Sequence, residues 1–141
     1  MKPSSLRHFL FLGSLFALTG VAAGAFGVHV LKTILDANML VVYDTATRYQ
    51  MYHAFALFVV AWTGYQFPQA NVGAAGWCFV GGTVLFSGSL YLVALLGIRW
   101  LGAVTPVGGV LFLVGWGLLG WGCWKATQPA ERAQGEMHGN Q

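Results

Sequence analysis

The sequence has few charged residues, which make up only 8% of it, whereas they make up about 25% of an ordinary soluble domain. No Asp, Glu, Lys or Arg occurs between Arg48 and Arg99, and none occurs from Trp100 to Trp124. A soluble protein with so few charges could not cover its surface with polar groups, so the hydrophobic fraction of 57% indicates a membrane protein. The net charge of +3 is too small and too scattered to indicate a nucleic-acid partner.

The sequence also lacks the motifs of the common enzyme classes. It has no Gly-rich phosphate loop, no Ser/His/Asp arrangement and no HExxH motif. Cys78 and Cys123 have no metal-ligand spacing, and we expect them to be buried, inert thiols. These absences favour a non-enzymatic protein with no metal and no cofactor.

Four apolar runs predict an all-α membrane protein, with four transmembrane helices in an up-down bundle. About 20 helical residues cross the ~30 Å hydrocarbon core of a bilayer. The predicted spans cover residues 9–28, 49–67, 74–96 and 101–124. They form one domain over residues 1–128, followed by a polar tail, residues 129–141, that we expect to be disordered. Small residues at 22–25 leave open the alternative that the first run is a cleaved signal peptide.

Residues 30–47 are the only substantial polar connection between spans. Leu31, Ile34 and Leu35 fall on one helical face, a pattern that predicts a short helix in the membrane interface. Asp44 precedes the second apolar run and is a plausible N-cap. Arg48 follows four residues later and could pair with it.

The basic residues give a weak preference for orientation. Four spans place both termini on the same side of the membrane. With the termini inside, four basic residues lie inside and three lie outside: Lys2, Arg7, Lys125 and Arg132 against Lys32, Arg48 and Arg99. The positive-inside rule therefore favours an orientation with both termini in the cytoplasm.

Polar residues of all four spans should meet at one membrane face. Alternating spans bring together the end of the first, the start of the second, the end of the third and the start of the fourth. Such convergence of polar groups in a bilayer indicates a candidate site. The predicted polar cluster comprises His29, Lys32, Arg48, Tyr49, His53, Ser87, Ser89, Tyr91 and Thr105.

Several glycines are expected to let the helices approach closely, as small residues do in membrane bundles. Gly20 and Gly24 are four residues apart in the first span, which permits close contact along one face. The predicted packing glycines are Gly20, Gly24, Gly27, Gly88, Gly108 and Gly109.

His29 and His53 are the two residues whose side chains are best suited to bind a ligand or to move a proton. One reading is a shared site, such as a metal or haem pair, a quinone hydrogen-bonding site or a proton relay. The other is that each imidazole ties helices together through Ser87, Ser89, Tyr91 or Thr105. Ser87 and Ser89 are two apart and point to different helix faces, so they are no obvious nucleophile pair.

Four motifs together resemble the YgdD/YwdK-like family of small four-helix inner-membrane proteins, whose function is unknown. They are Gly24-Ala-Phe-Gly-Val-His-Val-Leu31, Tyr49-Gln-Met-Tyr-His53-Ala54, Gly82-Thr-Val-Leu-Phe-Ser-Gly-Ser-Leu-Tyr91, and Thr105-Pro-Val-Gly-Gly-Val110 leading to Gly115-Trp116. Val28 stands where the family commonly has alanine. The resemblance covers residues 9–124 and implies a prokaryotic plasma-membrane location, but it implies no activity and no catalytic residues.

The sequence thus favours an accessory or assembly partner of a larger membrane complex, in contact with the lipid bilayer and with a membrane-protein partner or a second copy. The first alternative is a redox or small-molecule binding protein that uses His29 and His53. The second is a small oligomeric transporter, which would depend on His53 because no carboxylate lies within a span.

Overall fold

The computed structural model describes residues 3–127, which form four long helices and two 3₁₀ turns, with no strand among them. The helices are α1 (Pro3–His29), α2 (Ala37–Gln66), α3 (Gly73–Leu96) and α4 (Thr105–Thr127), and the 3₁₀ turns are Leu31–Thr33 and Arg99–Ala103. The all-α prediction is confirmed. The predicted disordered tail, residues 129–141, lies outside the described residues.

Three of the four helical segments are long and apolar enough to cross a membrane. They are Leu6–Thr33, Gly73–Leu96 and Arg99–Thr127. α2 has the length, with 30 residues, or about 45 Å at 1.5 Å per residue. It is less apolar because Gln50, His53 and several tyrosines interrupt its hydrophobic residues.

The connection between α1 and α2 differs from the one expected. Within the described residues there is no separate helix over 30–47; one 3₁₀ turn is followed by α2, which begins at Ala37. Asp36 is the N-cap, since its carboxylate accepts a hydrogen bond from Met39 N–H at 3.0 Å. The prediction of Asp44 as N-cap was therefore wrong. No glycine or proline interrupts residues 37–63, so the helix starts well before the apolar run.

The other helix boundaries follow local backbone chemistry. α3 ends at Leu96 and is capped by Gly97, which has a positive φ of 67° and donates its N–H to Val93 C=O at 3.1 Å. A glycine takes this left-handed conformation without strain. α4 begins at Thr105 rather than residue 101, and Pro106 occupies its first turn, where a missing N–H costs no helical hydrogen bond.

The helices pack in chain order, with α1 on α2, α2 on α3 and α3 on α4. Their core is built from large rings that fit against glycines. Phe9 of α1 is fully buried and lies over Gly76 of α3, where an added Cβ would come within 2.5 Å of its ring. Phe112 of α4 fits against Gly82 of α3 in the same way. These contacts draw the helices together around one apolar core.

Candidate functional site

Gln50 lies at the centre of a hydrogen-bond network that joins three helices. It is only 6% exposed. Its side-chain N–H group donates to Phe16 C=O and to Thr19 Oγ1, both at 2.8 Å, and so ties α2 to α1. Its Oε1 accepts a hydrogen bond from the Tyr91 hydroxyl at 2.9 Å, which ties α2 to α3. In an apolar surrounding, a buried amide needs such partners because each unsatisfied polar group is costly.

Two tyrosines extend this network toward the end of α1. The Tyr91 hydroxyl also lies 3.2 Å from Thr47 Oγ1. The Tyr43 hydroxyl donates to Ala23 C=O on α1 at 3.0 Å. The rings of Tyr43 and Tyr91 meet edge to face, with centroids 5.1 Å apart. The end of α1, the early part of α2 and the end of α3 therefore meet, as alternating spans predict. We call this end of the bundle the polar end.

A second, smaller link joins α3 to the first residue of α4. The hydroxyl groups of Ser89 and Thr105 are 2.8 Å apart. Ser89 also donates to Phe86 C=O at 3.0 Å, so Thr105 is the donor in the contact between the two hydroxyls. This link completes the polar end, since it adds the start of α4 to the three helices around Gln50.

His53 lies apart from this network, among aromatic rings. It is 4% exposed. Its ring stacks on Phe112, with centroids 3.4 Å apart and planes within 6°. Nδ1 lies 2.7 Å from Tyr49 C=O, and Nε2 lies 3.4 Å from Nε1 of Trp116. These partners are a backbone carbonyl and an indole, not the hydroxyl groups suggested from the sequence.

The two partners fix the tautomer of His53. A carbonyl oxygen can only accept, so Nδ1 carries the proton. The Trp116 indole can only donate, so Nε2 carries a lone pair. The imidazole is therefore neutral, with an acceptor nitrogen toward Trp116. The 3.4 Å separation is long for an N–H···N contact, which leaves that lone pair weakly engaged.

His53 forms part of the floor of a groove between α2 and α4. We call this the His53 groove. Its volume is about 630 Å³. Phe86 of α3 lies behind it, and the ring of Tyr49 packs on Phe86 with centroids 4.6 Å apart. The groove is lined by Tyr49, Tyr52, His53, Phe86, Pro106, Gly109, Val110, Phe112, Leu113 and Trp116.

A smaller groove lies between α1 and α2 at the polar end. Its volume is about 330 Å³. Gly24, Gly27 and Thr47 line it, together with the exposed side chains of Lys32 and Asp44. Asp44 is engaged with Arg48, whose Nε donates to its carboxylate at 2.8 Å, as predicted. This hydrogen bond and the charge of Asp44 raise the pKa of Arg48 above its ordinary value.

The structure does not bring His29 into contact with His53. His29 is exposed at the last residue of α1, and among residues 3–127 its side chain makes no hydrogen bond or ring contact. His53 is enclosed by residues of α2, α3 and α4 instead. Ser87 is also separate from both links, because its buried Oγ has no hydrogen-bond partner in the part of the chain that the structure describes. Within the described part of the chain, no group of three His, Cys, Asp or Glu residues could hold a metal ion.

The predicted packing glycines divide into close and open positions. At Gly108 an added Cβ would lie 2.5 Å from Phe86 N, so α4 touches the backbone of α3 there. Gly20 faces Met51 and Gly27 faces Tyr43, with an added Cβ at 2.6 and 3.0 Å from their side chains. Gly24 and Gly109 have more room, and an added Cβ at Gly88 would have no neighbour within 4 Å among the described residues.

Sequence reasoning missed several residues of both features. Gln50, Thr19, Thr47 and Tyr43 build the network, and Phe112 and Trp116 enclose His53. One signal was available: a glutamine within an apolar run must find partners when its helix is buried. No comparable signal identified Phe112, because phenylalanines are common in membrane helices.

Comparison with known proteins gives one family. The model of the family described as "Protein of unknown function (DUF423)" matches residues 23–109, more than half of the chain. A UPF0382 membrane protein of Staphylococcus saprophyticus is 46% identical over 120 residues, which cover 85% of this chain and 99% of that protein. The UPF0382 membrane protein YwdK of Bacillus subtilis is 44% identical over 112 residues, covering 79% and 91%. No solved structure matches the chain.

The family match and the relatives agree with the resemblance carried by the four motifs. The matched region includes the end of α1, all of α2 and α3, and the start of α4, and so contains every segment that meets at the polar end. The chain therefore belongs to the YwdK-like DUF423 family of membrane proteins, whose function is unknown.

Proposed function

We propose that the protein crosses the bacterial inner membrane four times, with both termini in the cytoplasm. α2 packs between α1 and α3, both of which are apolar enough to span, and α2 is long enough to cross with them. The polar end would then face outward, with the Leu31–Thr33 turn and the first turns of α2 at the membrane surface. Phe9 of α1 belongs to the core, which favours a retained first helix over a cleaved signal peptide.

Within this membrane the protein acts as a non-enzymatic accessory or assembly partner of a larger complex. The observation that carries this proposal is how the polar side chains are used. Gln50, Tyr91, Ser89 and Thr105 bond to one another or to a neighbouring helix inside the bundle. Groups satisfied in this way hold helices together and are not free to act on a substrate.

The outer face of α4 is the surface that we assign to the partner. α4 packs on α3 on one side, and the described residues, 3–127, leave its opposite side uncovered. Gly117 and Gly120 lie on the uncovered side, and none of the described atoms comes within 4 Å of an added Cβ at either position. Trp121 and Trp124 beside them are exposed. Bare glycines flanked by large apolar rings let a second membrane helix approach closely.

The test compares two glycine-to-leucine variants of the full chain in its native membrane. After extraction in mild detergent, the wild type should migrate on a native gel as a complex much larger than the 15.2 kDa chain. Gly117→Leu should release the free protein, because the new side chain occupies the contact face. Gly88→Leu, which adds the same side chain in open space on α3, should leave the complex intact.

Two results would overturn the proposal. One is a wild-type protein that migrates alone at every detergent strength. The other is an equal effect of Gly117→Leu and Gly88→Leu. Expression of two differently tagged copies separates a hetero-complex from a homo-oligomer, because only a homo-oligomer retains both tags in one complex.

A further inference from the structure

The proposed assembly role does not account for the opening and the volume of the His53 groove. The groove opens on the flank of the bundle between α2 and α4, where Tyr52, Val110 and Leu113 are exposed. In the proposed membrane this flank faces hydrocarbon, so an occupant would arrive from the lipid phase. The volume of about 630 Å³ lies within the range of about 300–1,000 Å³ typical of small-molecule sites.

The walls of the groove favour a flat ring over a flexible chain. The rings of Tyr49, Phe86 and Phe112 all line the groove, and they pack on one another with centroid distances of 4.6 Å for Tyr49–Phe86 and 6.2 Å for Tyr49–Phe112. Aromatic faces bind planar rings through stacked and edge contacts. A phospholipid acyl chain would fill the same volume without making these contacts, and it would offer Nε2 of His53 no donor beyond the long contact with Trp116.

His53 determines whether an occupant must donate or accept a hydrogen bond. Nδ1–H is committed to Tyr49 C=O at 2.7 Å, so Nε2 can offer only a lone pair. Its present contact with Trp116 is long, at 3.4 Å, and Trp116 is 47% exposed, so the indole can turn away toward the opening. A ligand hydroxyl would donate to Nε2. A ligand carbonyl would place a second lone pair against it.

We propose that the His53 groove binds a membrane-soluble ring compound through a ring hydroxyl that donates to His53 Nε2, as the reduced, quinol form of a membrane quinone would. The oxidised quinone has the same ring but only carbonyl oxygens, so it binds more weakly. The proposal concerns binding alone and includes no electron transfer. It does not rest on the assembly role, because the groove and the Gly117 face lie on different parts of α4.

The test is calorimetric titration of the purified full chain in phosphatidylcholine nanodiscs under anaerobic conditions. Three probes share one ring: decylubiquinol, decylubiquinone, and the dimethyl ether of decylubiquinol, which has lost both hydroxyl donors. The wild type should bind the quinol roughly tenfold more tightly than the other two probes, since one hydrogen bond to a buried acceptor accounts for about that ratio.

Three variants connect the binding to the groove. His53→Phe keeps a flat ring against Phe112 but removes the acceptor, so the quinol should lose its advantage over the quinone and the ether. Gly109→Leu should abolish binding of all three probes, because Gly109 lines the groove and its Cβ position has room, at 3.8 Å from Phe86. Gly88→Leu adds the same side chain to α3, outside the groove lining and with no described atom within 4 Å of its Cβ position, and should bind the quinol normally.

Several outcomes would overturn the proposal. They are no binding by the wild type, equal binding of the three probes, or an unchanged quinol preference in His53→Phe.

If His53→Phe does not fold, the proposal is still tested by the difference between quinol and ether binding and by the loss of binding in Gly109→Leu. If Gly109→Leu alters the oligomeric size and not quinol binding, the groove is a contact with a second copy. If Gly117→Leu releases the native complex while quinol binding persists, the two proposals stand separately.

Discussion

At the scale of single residues, hydrogen bonds between side chains distinguish the polar end from the rest of the bundle. Membrane helices gain no hydrophobic driving force for association with one another, so packing and interhelical hydrogen bonds carry more of the specificity. Gln50 illustrates this, because one amide reaches Phe16 C=O, Thr19 and Tyr91 on two neighbouring helices. Substitutions that remove single hydroxyls should therefore have measurable effects on stability.

Tyr91→Phe tests the network directly. The substitution removes the hydroxyl that contacts Gln50 and Thr47 while it keeps the ring against Tyr43. We expect the free energy of unfolding to fall by about 1 kcal/mol. The hydroxyl makes two interhelical contacts, and interhelical hydrogen bonds in membrane proteins contribute about 0.6 kcal/mol each on average. Reversible unfolding in mixed micelles measures the change.

Tyr65→Phe is the matched control, since Tyr65 is 73% exposed and belongs to neither the network nor a core cluster. It should leave the unfolding midpoint unchanged. Equal effects of the two substitutions would show that the Tyr91 hydroxyl contributes nothing specific.

The contacts of single residues are also the part of the structure that the sequence predicted least completely. Tyr91, Ser89 and Thr105 could be selected because a polar residue in an apolar run needs a partner, and the structure gives them partners in other helices. The pairing of particular residues could not be predicted. It depends on helix rotation, which the sequence of evenly apolar helices leaves undetermined. For that reason His29 and His53, close to one membrane face by residue count, have different surroundings.

At the scale of helices, the start of α2 depends on one side chain. Asp36 accepts the N–H of Met39, whereas Asp44 lies two turns inside the helix and contacts Arg48 on its surface. The apolar pattern alone places the start too late, because a helix can extend into water beyond its hydrophobic part when it is capped.

Asp36→Ala should therefore lower stability by about 1 kcal/mol, the usual effect of losing an N-cap. Asp36→Ser restores an acceptor and should recover most of the loss. Asp44→Ala should have little effect on unfolding, because Asp44 and Arg48 are exposed to solvent. A larger effect of Asp44→Ala than of Asp36→Ala in chemical denaturation would contradict this assignment of the cap.

Two adjacent glycines of α4 give a sharper test of helix packing. An added Cβ at Gly108 meets the backbone of Phe86 at 2.5 Å, whereas at Gly109 it meets a ring atom at 3.8 Å. Gly108→Ala should push α4 away from α3 and cost roughly 1–3 kcal/mol, as overpacking does. Gly109→Ala should be neutral or stabilising by up to about 1 kcal/mol, because alanine favours helix.

The melting temperatures of these two variants in detergent provide the comparison. A lower value for Gly109→Ala than for Gly108→Ala would contradict the close contact between α3 and α4. The sequence could mark both glycines as packing candidates. Only the rotation of α4 against α3 shows which of them touches backbone.

At the scale of the whole molecule, topology depends on α2. With α2 as a span, four crossings place both termini on the same side, and without it three crossings place them on opposite sides. A fluorescent protein that folds only in the cytoplasm should be bright when fused after Gln141. Alkaline phosphatase, active only outside, should be active after Arg99 and inactive after Pro68.

An active phosphatase fusion at Gln141 together with a cytoplasmic N-terminus would contradict the four-span topology. Substitution of Lys125 by glutamine provides a check on the orientation itself. Because the basic residues favour the proposed orientation by only four to three, this substitution should increase the fraction of inverted molecules.

The role that we propose for the protein is association with another membrane chain and not a reaction of its own. The most direct measurement is the native mass of the full chain extracted from its own membrane in polymer nanodiscs without detergent. We expect a protein mass well above the 15.2 kDa of one chain, which falls to that of one chain in Gly117→Leu. A single copy per disc in the wild type, with no second protein, would contradict it.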